Sequence, residues 1–273
     1  MSSSITVARA LAASGLVPFE ARLLLAHVLG RDRAWLAAHP GDAIDPEHST
    51  AYDALARRRR DGAPVAYLVG RREFYGLDLE ITADVLIPRP ETELLVDLAL
   101  DRIPADRAAQ VLDLGTGSGA VALAIASARR KAHVLGSDIS TAALALAARN
   151  AARLGISNAA FVASDWFATL RRAVFELIAC NPPYVAAGDP HLREGDLRHE
   201  PVHALTSGGD GLNAIRAIVA AAHAHLAPGG WLLLEHGHDQ ADAVSALLRD
   251  AGFAGIASAR DLAGILRVTC ARI

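Results

Sequence analysis

Asn181-Pro182-Pro183-Tyr184 sets an amide side chain beside two residues that lack a backbone N–H. Proline fixes φ and removes a donor, so the turn is stiff and its carbonyls are free to accept. A rigid asparagine beside free carbonyls can accept two hydrogen bonds from one amino group. The apolar run before it, residues 175–180, is bounded by turn formers and has the pattern of a buried strand. The tetrapeptide therefore stands at a strand's carboxyl end, the edge where open α/β sheets bind ligands. Taken alone it reads as a turn. The residues upstream give it chemistry.

Val111-Leu-Asp-Leu-Gly115-Thr116-Gly117-Ser118-Gly119-Ala120 reads as a strand, a glycine-rich turn and a helix start. Glycines let a backbone pass close to a ligand in conformations other residues resist. The next strand ends in Asp138, 19 positions after Gly119, the spacing at which an acid reaches both hydroxyls of a ribose. The glycines fall at alternate positions, so the dinucleotide pattern G-x-G-x-x-G is not met, and no Gly-Lys-Ser/Thr follows to make a Walker A loop. The loop is shaped for an adenosine ligand without a pyrophosphate, and S-adenosylmethionine fits. The following strand ends in Ser164-Asp165-Trp166. Trp166 is placed to wall the cosubstrate and Asp165 to accept from an adenine amino group, with core or capping roles equally open.

These positions require a scaffold. From residue 91 a helix is followed by strands at 110–114, 133–138, 160–163, 175–180, 230–235, 252–257 and 265–270, with helices at 119–130, 141–154, 212–226 and 240–250. Such alternation predicts an α/β fold, Rossmann-like, with a seven-stranded, mostly parallel sheet and helices on both faces. No convincing crossover helix joins the last two strands, so an antiparallel edge is expected. Residues 3–62 read as helices only, one of them opened by the capping pair Asp45-Pro46 and closed by Arg57-Arg58-Arg59-Arg60. That arginine run is expected to be a solvated helix end, a contact to an acidic or RNA-bearing partner being the other reading. Val65–Val69 and the pieces around Tyr75-Gly76 look β-like. The expected organisation is thus a small all-α domain at 1–63, a connector with a β-hairpin at 64–90 and the α/β domain at 91–273. The polar, glycine-bearing segment 186–201 suits a mobile flap beside the site.

Composition narrows the function classes. A formal net charge of -3 over 273 residues gives no general drive toward nucleic acid. Lys131 is the single lysine, which leaves little scope for lysine chemistry. Cys180 and Cys270 both end apolar runs and look like buried thiols in a reducing compartment. No signal peptide or membrane-length apolar run is read, so the expected location is cytoplasmic. His236 and His238 lack partners at ligand spacing, and no metal is expected.

Together the glycine loop, Asp138 and Asn-Pro-Pro-Tyr resemble the class I S-adenosylmethionine-dependent methyltransferases, and the tetrapeptide is similar to the signature of those that methylate planar amino groups. Leu86-Ile-Pro-Arg-Pro-Glu-Thr-Glu93, Pro64-Val-Ala-Tyr-Leu-Val-Gly70 and Glu73-Phe-Tyr-Gly76 look like the connector of the release-factor glutamine methyltransferases, the PrmC/HemK type. The resemblance spans nearly the whole chain and is weakest in the first 60 residues. It implies cosubstrate contacts at Gly115, Thr116, Gly117, Ser118, Gly119, Asp138, Trp166 and Asn181, and substrate contacts at Asn181, Pro182, Pro183 and Tyr184. The implied acceptor is the side-chain amide of the glutamine in the Gly-Gly-Gln motif of class-one peptide chain release factors. Asn181 Oδ1 and the Pro182 carbonyl are then expected to hold that amide, with Tyr184 as a wall. The helical domain is read as the surface that recognises the protein partner. No stable nucleic-acid binding is expected, and the expected state is a monomer. A ribosomal-protein glutamine and a nucleic-acid exocyclic amino group stay open as alternative acceptors.

Overall fold

The helical stretch forms because its apolar residues recur on one side and its ends are capped. The structure, a computed structural model, describes residues 5–171 and 173–273, so residues 3 and 4 of the helical reading lie outside the described residues. One unit comprises the residues up to Arg71 together with His191–His199. In it, α1 (Val7–Ala13), α2 (Pro18–Leu29), α3 (Arg33–Ala38), α4 (Pro46–Arg60) and α5 (Val65–Val69) enclose a core that includes Leu24, Leu25, Leu36, Tyr52 and Leu68. Asp45 caps α4 by accepting the His48 N–H at 2.9 Å, as the Asp-Pro pair predicts.

Two elements depart from the sequence reading. At six residues, α3 is too short for periodicity to announce it, and it is started by Asp32 accepting the Trp35 N–H at 2.7 Å. Val65–Val69 is helical, not β-like: Leu68 is drawn into the helical core, and packing overrides the weak β preference of valine and tyrosine. The arginine run also needs correction. Arg57 and Arg58 are exposed, but Arg59 grips Glu20 through two bonds of 2.9 and 2.7 Å and Asp196 at 2.7 Å. Arg60 donates to the Ser14 carbonyl. Half of the run therefore holds structure together. Asp196 lies in the segment read as a flap, which forms short 3-10 turns at Pro190–Arg193 and Leu197–His199.

The second unit is Arg72–Pro190 with Glu200–Ile273. A small hairpin of β1 (Arg71–Phe74) and β2 (Leu77–Glu80) turns at Tyr75-Gly76. Seven further strands make one sheet: β3 (Gln110–Leu114), β4 (His133–Asp138), β5 (Ala159–Ala163), β6 (Phe175–Cys180), β7 (Leu226–Glu235), β8 (Ala254–Arg260) and β9 (Leu266–Arg272). Their order is β5-β4-β3-β6-β7-β9-β8. The first five are parallel, while β9 runs antiparallel to both β7 and β8. The antiparallel edge has the expected cause, since Asp261 and Ile265 close a tight turn instead of a crossover. β7 starts earlier than residue 230 because the register jumps between the Phe175–Leu226 and Leu177–Trp231 pairs, letting residues 227–230 bulge.

Helices α6 (Glu93–Leu100), α7 (Ala120–Ala128), α8 (Thr141–Leu154), α9 (Val202–Leu205), α10 (Asn213–Ala222) and α11 (Ala241–Asp250) complete the unit. A core of Leu112, Leu114, Ile178, Ile215, Leu232 and Leu234 holds the sheet to its helices. Leu114 aligns with Ser137 on one side and Cys180 on the other. The strand order reverses about β3, so the carboxyl ends of β3, β4 and β6 open a crevice at the switch point.

Candidate active site

A cleft of about 280 Å³ lies in that crevice, lined by Gly115, Gly117, Asp138, Trp166, Asn181 and Pro183 among others. The loop after β3 is shaped by its glycines, with φ of 70°, 54° and 84° at Gly115, Gly117 and Gly119. These are left-handed values that residues with a Cβ resist. The Ser137 carbonyl accepts the N–H groups of Gly115 and Thr116 at 2.8 and 2.9 Å. Gly136 makes this approach possible: a Cβ there would sit 2.8 Å from Thr116 Oγ1 and 2.7 Å from the Phe161 ring.

Asp138 Oδ2 accepts the Gly117 N–H at 2.9 Å, and Oδ1 accepts the Ser140 N–H at 2.9 Å. A carboxylate has about four lone-pair sites, so each oxygen keeps one for a ligand hydroxyl. Ile139, 65% exposed, and Trp166 supply apolar surface in the same cleft. Bare backbone, a carboxylate with spare acceptors and apolar walls fit an adenosine-bearing cosubstrate.

Beneath the loop, Asp113 Oδ2 receives the Thr116 hydroxyl at 2.6 Å and the Ala122 N–H at 3.1 Å. Burial, aided by the charge of Asp138, pushes its pKa up to about 7. A carboxyl whose pKa is raised on folding adds stability below its unfolded pKa, here near 3.8, and loses it as pH rises through the folded value. The stability advantage of wild type over Asp113→Asn is therefore expected to shrink by roughly 2–4 kcal/mol between about pH 4 and 7. Urea melts of both proteins across that range test this, and a difference that does not vary with pH overturns it.

Asn181 follows β6 with its Nδ2 donating to Thr92 Oγ1 at 3.1 Å. Oδ1 is left as the free end of the amide. The Tyr184 hydroxyl reaches Glu235 Oε1 at 3.4 Å, and its pKa is raised by burial and by that carboxylate. Glu235 is itself buried and pushed up to about 7, chiefly by desolvation and by Glu91, while Thr92, Arg267 and Tyr184 oppose the rise. Gln240 Nε2 donates to the Tyr184 carbonyl at 3.0 Å and pins the end of the turn.

Of the residues singled out from sequence, Thr116 and Ser118 are buried under the loop and do not line the cleft. Gly119 starts α7. Pro182 is buried, and neither it nor Tyr184 lines the cleft. Leu86, Ser140, His203 and Ala204 do line it and were missed. So was Asn150, fully buried, whose amide accepts the Glu80 N–H at 2.7 Å and donates to the carbonyls of Glu80 and Ser118 at 3.0 Å each. It ties the hairpin to the glycine loop. An amide amid Ala143, Leu146 and Ala147 on an otherwise apolar helix face was the signal. His236, buried, bonds Thr269 Oγ1 at 2.9 Å and the Gly237 carbonyl. Among the described residues no cluster of three or more His, Cys, Asp or Glu side chains is placed to hold a metal.

Sheet order, glycine loop, acidic strand end and Asn-Pro-Pro-Tyr turn define an S-adenosylmethionine-dependent methyltransferase with a Rossmann-like fold. Residues 92–212 match the methyltransferase small domain and residues 6–70 the PrmC N-terminal domain. The chain is 52% identical to the release factor glutamine methyltransferase of Burkholderia pseudomallei over 99% of its own length and 97% of that protein's. It is 51% identical to that of Bordetella pertussis, covering 95% and 96%. In fold it is similar to a 16S rRNA methyltransferase of T. thermophilus in complex with AdoMet and guanosine, with a TM-score of 0.55 at 22% identity, over 74% of this chain and 49% of that one. The chain belongs to the release factor glutamine methyltransferases.

Proposed function

We propose that this protein transfers the methyl group of S-adenosylmethionine to the side-chain nitrogen of the glutamine in the Gly-Gly-Gln motif of class-one peptide chain release factors, and that it acts as a cytoplasmic monomer supporting translation termination. The observation that carries the reading is the orientation of Asn181: its Nδ2 is taken up by Thr92, which leaves Oδ1 as the available end of an amide that lines the same cleft as the glycine loop and Asp138. When bound, S-adenosylmethionine supplies an electrophilic sulfonium methyl.

The chain's own residues do the rest. A carboxamide nitrogen is a poor nucleophile because its lone pair is delocalised, so alignment is the main contribution a site can make. Asn181 Oδ1 and the Pro182 carbonyl each accept one hydrogen of the glutamine amide, which points its nitrogen along the cleft and stabilises the positive charge that develops on it. Tyr184 acts through its hydrogen bond to Glu235 and stiffens the turn that carries these acceptors. No general base is required, since the methylated nitrogen sheds its extra proton readily after transfer. Asp138 takes the ribose, with Ile139 and Trp166 against the flat and apolar parts of the cosubstrate. The helical unit is the partner-recognising surface.

Incubation with radiolabelled S-adenosylmethionine tests the acceptor, with a release factor, the same factor carrying a replaced Gly-Gly-Gln glutamine, a ribosomal protein and DNA as separate substrates. Label is expected on the intact release factor alone. Label on DNA, on the ribosomal protein or on the glutamine-replaced factor overturns the proposal.

A further inference from the structure

Pro182 and Pro183 have no N–H, so the middle of the Asn181–Tyr184 turn has no backbone donor with which to tie itself to the protein. It has to be held at its two ends. The entry is held by β6, whose last residue Cys180 aligns with Leu114 and Leu234, and by the Asn181–Thr92 bond. The exit is held by residues far off in the chain. The Val185 N–H donates to the Leu205 carbonyl at 2.9 Å, and the Val185 carbonyl accepts the Ser207 N–H at 3.0 Å. The Ala187 N–H donates to the Gly208 carbonyl at 2.8 Å. Just before this ladder, the Tyr184 carbonyl takes Gln240 Nε2 at 3.0 Å. The same NH2 group gives its other hydrogen to the Asp210 carbonyl at 3.2 Å. Gln240 Oε1 accepts the Gly237 N–H at 2.8 Å. A backbone N–H can only donate, so this bond fixes which end of the side-chain amide faces the turn. Gly211 makes room for the junction: its φ is 76°, and a Cβ there would collide with the Tyr184 carbonyl and sit 2.8 Å from Gln240 Nε2.

We propose that Gln240 is a positioning residue for methyl transfer, which clamps the exit of the turn so that Asn181 Oδ1 and the Pro182 carbonyl keep the spacing that the two hydrogens of the acceptor amide require. The inference rests on the reading of Asn181 and Pro182 as acceptors for the substrate. Two acceptors on one turn orient a planar NH2 group only while both keep their places, and a displacement of about 1 Å costs on the order of 100-fold in rate. The second carbonyl that Gln240 holds is itself on a fixed loop. Ser207 Oγ accepts the Ala214 N–H at 2.7 Å, and Asp210 Oδ1 accepts the Leu212 N–H at 3.1 Å. One side-chain amide thus joins the turn, the loop 207–211 and the chain that follows β7, with all three of its bonds made to backbone.

The test compares Gln240→Glu, Gln240→Met and Gly211→Ala with wild type, and uses Asn181→Ala as the reference. Gln240→Glu keeps the shape and the acceptor for Gly237, but at about pH 8 it turns a carboxylate oxygen toward two carbonyls. Its kcat is expected to fall roughly 10- to 100-fold, and Gln240→Met, which makes none of the three bonds, should fall by a similar factor. Gly211→Ala pushes the Tyr184 carbonyl aside from the other direction and should lower kcat with Gln240 intact. In all three the dissociation constant for S-adenosylmethionine should stay within about threefold of wild type, which also reports an intact fold. A protonated carboxyl is a donor again, so the deficit of Gln240→Glu relative to wild type should shrink as pH is lowered from about 8 to 5.5, while that of Gln240→Met should not. In the Asn181→Ala background, Gln240→Glu should cost little more. If Gln240→Glu turns over near the wild-type rate while Asn181→Ala collapses, the clamp is overturned and the reading of Asn181 stands. A loss of cosubstrate binding in proportion to kcat overturns it too, since Gln240 would then serve the fold as a whole. If Asn181→Ala itself turns over near wild type, the reading of Asn181 fails and takes this one with it.

Discussion

Asn181→Ala is expected to lower kcat by roughly 100- to 1,000-fold, the range seen when a preorganised hydrogen-bonding group is removed from the place where charge develops. The substrate nitrogen becomes more positive as its bond to the methyl forms, so an acceptor on its hydrogens is worth more in the transition state than before it. Loss of that acceptor should therefore appear in kcat, with the dissociation constant of S-adenosylmethionine changed by no more than about threefold. Asn181→Asp is the sharper control. A carboxylate keeps an acceptor toward the substrate but loses the N–H that Thr92 Oγ1 accepts, so this variant should retain some turnover and exceed alanine. Rapid-quench measurement of methyl transfer, with calorimetry for cosubstrate binding, separates the two quantities. An alanine variant with near-wild-type kcat overturns the assignment.

The parts of this site that were legible in the sequence are those whose meaning is local. Gly115, Gly117 and Gly119 announce backbone conformations that only glycine adopts readily, Asp138 follows at ribose spacing, and the prolines after Asn181 stiffen a strand end. Each reads within a few residues of itself. Thr92 carries no signal of its own within Pro-Arg-Pro-Glu-Thr-Glu because its partner Asn181 is 89 residues away, and the Tyr184–Glu235 contact spans 51. Arg59 was read as solvated for the same reason, its partners Glu20 and Asp196 lying 39 and 137 residues off. The strands of the sheet were legible because long apolar runs alternate with strongly periodic helices. Short helices such as α3 and α5 carry too few residues to show a period, and tertiary burial decided their form.

Asp138→Ala is expected to produce the mirror image of the Asn181 result. Its carboxylate holds the Gly117 and Ser140 N–H groups at 2.9 Å each, and in the proposed reading the lone pair left on each oxygen takes the ribose. Alanine leaves both N–H groups without their acceptor, unties the glycine loop from the end of β4 and removes both ligand contacts. Hydrogen bonds to a charged group are worth roughly 1.5–3 kcal/mol each, so loss of two toward the ribose should weaken cosubstrate binding by about 100-fold or more. At saturating S-adenosylmethionine, however, kcat should fall only a few-fold, because the amide-holding turn belongs to β6 and its braces are Thr92, Glu235 and Gln240. Asp138→Asn should fall between, since one oxygen can still accept while the NH2 end meets a backbone N–H. Calorimetric titration gives the dissociation constants and saturation kinetics gives kcat. An alanine variant that binds S-adenosylmethionine within about threefold of wild type would mean that the ribose is held elsewhere. A variant that binds weakly and also loses kcat in proportion would mean that the two ends of the cleft are one coupled unit, and the separation of cosubstrate and amide sites would be wrong.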